Sequence, residues 1–173
     1  MWYKNVRAQN ILILLISLIG LGGTFYFVNL KTELDKEEIH QIQQLVFSHM
    51  FDYITEHPNK DPDYFFISIS TSDPSQRLLN NFSGNIPLVA AVSSSEITYG
   101  FSSSVFHKTK QNKKGIIVDL DVKTKQPNGN VQVLASLYKS RSSLATYEYI
   151  LNNHDGPYQV ISFKGSERTE FLN

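Results

Sequence analysis

The chain has 173 residues, with 16 basic and 16 acidic side chains, a formal net charge of zero and no cysteine. The charge balance lacks the basic excess of nucleic-acid-binding proteins, so nucleic acid is not expected as a partner. Without thiols there can be no disulfides, Fe–S clusters, thiol catalysis or lipid anchor on cysteine.

Residues 1–10 carry Lys4 and Arg7 beside the amino terminus. From Ile11 to Leu30 the chain reads ILILLISLIGLGGTFYFVNL, without a charge. That is about 20 residues, the length a helix needs to cross a bilayer. Lys31, Glu33, Asp35, Lys36, Glu37 and Glu38 follow, mixed and slightly acidic. The positive-inside rule then predicts a cytoplasmic N-terminus at 1–10, a single-pass transmembrane anchor at 11–30 and the bulk of the chain outside the cytoplasmic membrane. Trp2, Tyr3, Phe25, Tyr26 and Phe27 suit the aromatic belts of the two interfaces. The alternative is a signal peptide cut near Gly20–Thr24, leaving a secreted domain. The apolar run is longer than the roughly 7–15 residues of a signal core, and Phe25 to Val28 continue it, which favours the anchor. An anchor implies the lipid bilayer as one partner and an envelope or membrane protein as another.

Residues 31–165 are long enough for one domain with its own core. Asp35 and Glu38 have capping-box spacing. Ile39, Ile42, Leu45, Val46, Met50, Tyr53 and Ile54 then recur with helical period up to His57-Pro58. Tyr64 to Ser70 reads as a strand with Phe65, Ile67 and Ile69 on one face. Asp73 and Pro74 predict a helix start that carries Leu78, Leu79 and Phe82 inward and stops near Gly84. Strands are expected at Leu88–Ser94, Gly115–Lys123, Val131–Lys139, Leu144–Leu151 and Tyr158–Lys164. Pro127-Asn128-Gly129 and Asn152 to Gly156 supply turns. Tyr99–Lys114 is expected to be a loop, and 166–173 a tail.

This order predicts an α+β fold: a long helix packed on a curved antiparallel sheet, of cystatin-like or NTF2-like character. The run YFFISISTSDPSQRLLNNFSGN, then VSSSEI and the closing GPYQVISF, resembles an uncharacterised family of small bacterial exported domains with a strand, an Asp-Pro-Ser helix start and a final glycine-aromatic strand. The matching positions are Asp73, Pro74, Ser75, Leu78, Leu79, Phe82, Ser95 and 156–163. The resemblance implies a fold and no reaction. The chain departs from the family in lacking a cysteine near the serine segment and in its long apolar segment.

No catalytic, metal-ligating or cofactor-binding set is predicted. Asp119 and Asp121 lie two apart on a strand, so their carboxylates share a face that can hold a cation or a proton. His40, His49, His57, His107 and His154 have no metal-site spacing. Ser75 lies in no nucleophile elbow and reads as a helix-start residue. Lys108, Lys110, Lys113 and Lys114 form the basic cluster. Asn81-Phe82-Ser83 fits a glycosylation triplet. Tyr138, Tyr147, Tyr149 and Tyr158 with Phe163 are placed on the sheet face toward the first helix, with Asp119, Asp121, Tyr147 and Tyr149 as ligand-face candidates. The expected function is a membrane-anchored binding or assembly module. One alternative is a component similar to the VirB8-like proteins of secretion and conjugation machines; another is a small-ligand-binding or enzymatic domain using the sheet concavity.

Overall fold

The computed structural model describes residues 33–56, 62–98, 104–110, 112–140, 143–154 and 156–168. Helix α1 (Lys36–Glu56) opens with the reciprocal bonds of a capping box. Glu38 N–H donates to Asp35 Oδ1 at 2.7 Å, and Asp35 N–H donates to Glu38 Oε2 at 3.0 Å. Its apolar stripe is Ile42, Val46, Phe47, Met50 and Phe51, all buried. The helix carries charges at Lys36, Glu37, Glu38, Asp52 and Glu56.

Strand β1 (Tyr64–Ile69) follows, then helix α2 (Gln76–Asn81) and strand β2 (Leu88–Ala91). A single 3-10 turn (Val92–Ser94) leads to β3 (Ser95–Thr98) and β4 (Ser104–His107). Four long strands close the chain: β5 (Lys114–Lys125), β6 (Val131–Ser140), β7 (Ser143–Asn152) and β8 (Gln159–Arg168). They form one eight-stranded sheet with the order β2-β1-β5-β6-β7-β8, and β4, paired with β3, borders the start of β5. β1 runs parallel to both neighbours, Tyr64 standing opposite Leu88 on one side and Gly115 on the other. The remaining pairs are antiparallel.

Strand alternation divides the apolar side chains between two faces. One face carries Phe65, Ile67, Ile116, Val118, Leu120, Val133, Ala135, Tyr147, Tyr149 and Leu151, in one buried cluster with the α1 stripe. On the other face Tyr64, Phe66 and Val105 form a second cluster, with Ala90, Ile97, Ile117 and Tyr138 packed against it. Burying a large apolar side chain contributes roughly 1.5–3 kcal/mol. The Arg77–Glu37 ion pair (2.7 Å) is exposed and screened by solvent, so packing dominates the stability.

Several expectations are corrected. The fold is not a long helix on a curved antiparallel sheet of cystatin-like or NTF2-like kind. It is dominated by a large mixed sheet, with β1 parallel to two partners. The single-pass membrane localisation is corrected too: among the described residues no helix is long and apolar enough to cross a membrane. Among the described residues α1 has the length, but His40, Gln41, Gln43, Gln44 and His49 as well as its charged residues make it too polar. The span expected at Ile11–Leu30, the N-terminal 1–10 and His57-Pro58 lie outside the described residues. The second helix begins at Gln76 rather than Pro74. Ser75 is its N-cap, accepting from Leu78 N–H at 3.2 Å, while Asp73 accepts from Ser93 N–H at 2.8 Å instead. Strand β4 occupies part of the expected loop, and β8 continues to Arg168.

Gly115 is required where β1, β4 and β5 meet. A β-carbon there would lie 2.4 Å from Phe66 Cε2 and 2.7 Å from the Tyr64 carbonyl oxygen. Overpacking of this kind costs about 1–3 kcal/mol. Gly115→Ala is therefore expected to lower the urea midpoint by that equivalent. Gly84→Ala, with open space around the position, is expected to leave it within about 0.5 kcal/mol. Equal midpoints for the two variants would contradict this packing.

Candidate functional site

The four ligand-face candidates do not converge. Asp119 lies on the face of β5 opposite to the α1 core, and its Oδ1 accepts from Ser68 Oγ at 2.5 Å and Thr71 N–H at 2.8 Å. Those bonds hold the turn after β1, where Ser70 (φ 47°) and Thr71 (φ 68°) adopt left-handed backbone. Asp121 shares that face and pairs with Lys123. Tyr147 and Tyr149 point the other way, under α1, and are buried. Tyr149 Oη and His49 Nδ1 are hydrogen-bonded at 3.1 Å, and burial pushes the phenol pKa up. Tyr147 stacks on Phe163 with centroids 5.4 Å apart, and Tyr53 meets both rings edge-on. The sheet face expected to form a concavity is filled by aromatic packing.

The other polar candidates have internal partners. Glu38 Oε1 accepts from Tyr158 Oη at 2.8 Å and Lys125 Nζ at 3.1 Å, which ties the start of α1 to the end of β5 and to the residue before β8. His40 Nε2 and Gln44 Oε1 each bond the Asn81 amide at 3.1 Å, and Phe82 of the glycosylation triplet is buried. His107 lies against the Tyr64 and Phe66 rings, and burial followed by the nearby Lys110 charge holds its pKa below the usual value. His154 Nε2 is bonded to Asn128 O at 3.0 Å across the β5–β6 turn. Within the basic cluster, Lys108 donates to Ser93 O, Lys110 to Tyr64 Oη and Lys113 to Asp63. Among the described residues no three His, Cys, Asp or Glu side chains are grouped to hold a metal.

The surface feature that sequence reasoning passed over lies where α1 ends and β1 and β2 begin. Thr55, Pro62, Asp63, Ile86, Pro87 and Leu88 line an open groove of about 400 Å³. Ile86 is 93% exposed and Leu88 46%. Asp63, the one ionisable residue among the described lining residues, is engaged by Lys113 Nζ at 2.8 Å and Lys114 N–H at 3.0 Å; the Lys113 bond holds its pKa below the carboxylate range. A signal for this site was present: no charged residue occurs from Leu78 to Ser95. No family model matches the chain, and no curated protein or solved structure is found to be similar to it. The resemblance to exported domains therefore rests on the quoted residues alone.

Among the described residues four carboxylates have depressed pKa values: Glu37 through its Arg77 bond, Glu38 through the Asp35 N–H, Asp63 through Lys113 and Asp73 through Ser93. A group with a lowered folded pKa stabilises above its unfolded value, and that contribution disappears as pH falls through the folded one. Stability is expected to be steady at neutral pH and to fall below the ordinary glutamate value near 4.5. Urea midpoints measured at about pH 7, 5 and 3 check this. Glu38→Gln is expected to flatten the acid limb. A wild-type profile with no acid limb would contradict these assignments.

Proposed function

We propose that the chain is a binding and assembly module that holds a protein partner at the groove beside Ile86 and Leu88. The observation that supports this reading is the position of those two side chains. Single exposed hydrophobics are ordinary on a protein surface, but a cluster rimmed by polar residues marks an interaction site. Here an almost fully exposed isoleucine and a half-exposed leucine lie two residues apart on the lip of an open groove. Pro62 and Pro87 stiffen the same lip, which lowers the entropy lost on binding. The groove's carboxylate is already neutralised by Lys113, so an apolar partner meets no unpaired charge there.

A photo-crosslinking side chain placed at Ile86 in the full chain tests this in cells. The expected result is a discrete adduct with another protein. The same group at Thr124, an exposed position on β5, is expected to give none. Leu88→Asp is expected to abolish the Ile86 adduct while changing stability by no more than about 0.5 kcal/mol. Adducts that are absent, or equally strong at both positions, would contradict the proposal.

A further inference from the structure

Building on the groove as a protein-docking site, we infer that its occupant is a short, extended, uncharged segment of the partner that adds as a strand to the outer edge of β2. Backbone geometry selects that conformation. Leu88 N–H donates to Asp63 O at 3.2 Å, so Leu88 directs its backbone polar groups toward β1. Alternation then turns the N–H and C=O of Val89 and the N–H of Ala91 outward, while the Ala91 C=O starts the 3-10 turn that follows. β2 ends the strand order, with β1 as its sheet neighbour. A helical occupant satisfies its own backbone and leaves those outward groups unanswered; an extended one pairs with them.

The ends of the main strand order, β2 and β8, also differ in how they discourage pairing. β8 has a register irregularity opposite Ile150 and Leu151, and it carries the charge of Lys164. Bulges and edge charges oppose strand addition. β2 has an unbroken register, no charge and no proline within Leu88–Ala91.

Size distinguishes a peptide segment from a second copy. A stable dimer buries about 800 Å² per partner. A four-residue edge, about 13 Å long, offers too little for that, and enough for a few residues of extended chain. Alternate side chains of the added strand would enter the groove, whose apolar lining residues select aliphatic ones.

The test uses the full chain and a fluorescent, end-capped heptapeptide of alternating threonine and valine, read by anisotropy. Ala91 has φ −66° and an outward N–H, so Ala91→Pro keeps the backbone shape and removes one edge donor. Ala91→Pro is expected to retain the wild-type urea midpoint and to weaken peptide binding about tenfold or more. If that variant does not fold, a peptide N-methylated at alternate residues, offered to the wild-type chain, decides instead; the isomer methylated on the β2-facing side is expected to lose binding. Ile86→Asp is expected to weaken binding as well.

Unchanged affinity for both Ala91→Pro and the N-methylated peptides, with Ile86→Asp still damaging, would overturn strand addition and leave groove docking standing. Tighter binding of an amphipathic helical peptide, dimerisation through β2, or no binding of the heptapeptide would each overturn the inference. The crosslink at Ile86 reports separately on the groove.

Discussion

The fold depends on one strand being buried on both faces. β1 lies between two parallel neighbours, and Tyr64 through Ser68 are all buried. Phe65 and Ile67 enter the core beneath α1, while Tyr64 and Phe66 seed the cluster on the other face. A parallel strand needs a crossover connection, which here passes through α2. The approach of Phe66 to β5 also requires a glycine at position 115. Ser68, the one polar residue in the buried stretch, is satisfied by Asp119, and the same carboxylate holds the turn that follows.

This arrangement limits where function can reside. Among the described residues most of the acidic, histidine and tyrosine side chains that suggested chemistry are occupied in joining one element to another, and Asp121 pairs with Lys123 of its own strand. Asp119 serves the turn, His49 and Tyr149 serve the interface between α1 and the sheet, and Glu38 closes the helix start against Lys125 and Tyr158. The surface at Ile86 and Leu88 differs in presenting apolar area to solvent. It adjoins the edge of β2 that pairs with no described strand, the other edge being fixed to β1. A rigid strand beside an apolar groove is a suitable platform for recognition, because the site is formed before its partner arrives.

Much of the element order was legible from periodicity. The 3.6-residue recurrence from Ile39 and the Asp35–Glu38 box located α1, and the strict alternation of GIIVDLDVK marked β5. Sheet topology was harder to read because parallel pairing leaves a different trace. A strand buried on both faces reads as a near-continuous apolar run, and YFFISI has that character. Reading only Phe65, Ile67 and Ile69 as one buried face missed the second cluster, and with it the parallel role of β1. The helix start was displaced because Asp73 has two outlets: capping the next turn, or accepting from Ser93 N–H some twenty positions later. Local spacing shows the first outlet, and only the tertiary fold shows the second. Tyr147 and Tyr149 lie toward the first helix, whereas Tyr138, expected on the same face, packs in the second cluster on the other. That the first two fill their surroundings follows from Phe163 and Tyr53, which no local pattern brings together. The groove escaped notice because its signal is a lack of charge across a long stretch rather than a motif.

Residue-resolved hydrogen exchange on the full chain tests most directly the claim that β1 is the doubly paired keystone and β2 an open edge. The amides of Phe65 and Ile67 are expected to exchange only through global unfolding, and those of Val89 and Ala91 at nearly the rate of an unprotected chain. Protection of Val89 and Ala91 equal to that of Ala90, or exchange of Phe65 and Ile67 by local opening, would contradict the account.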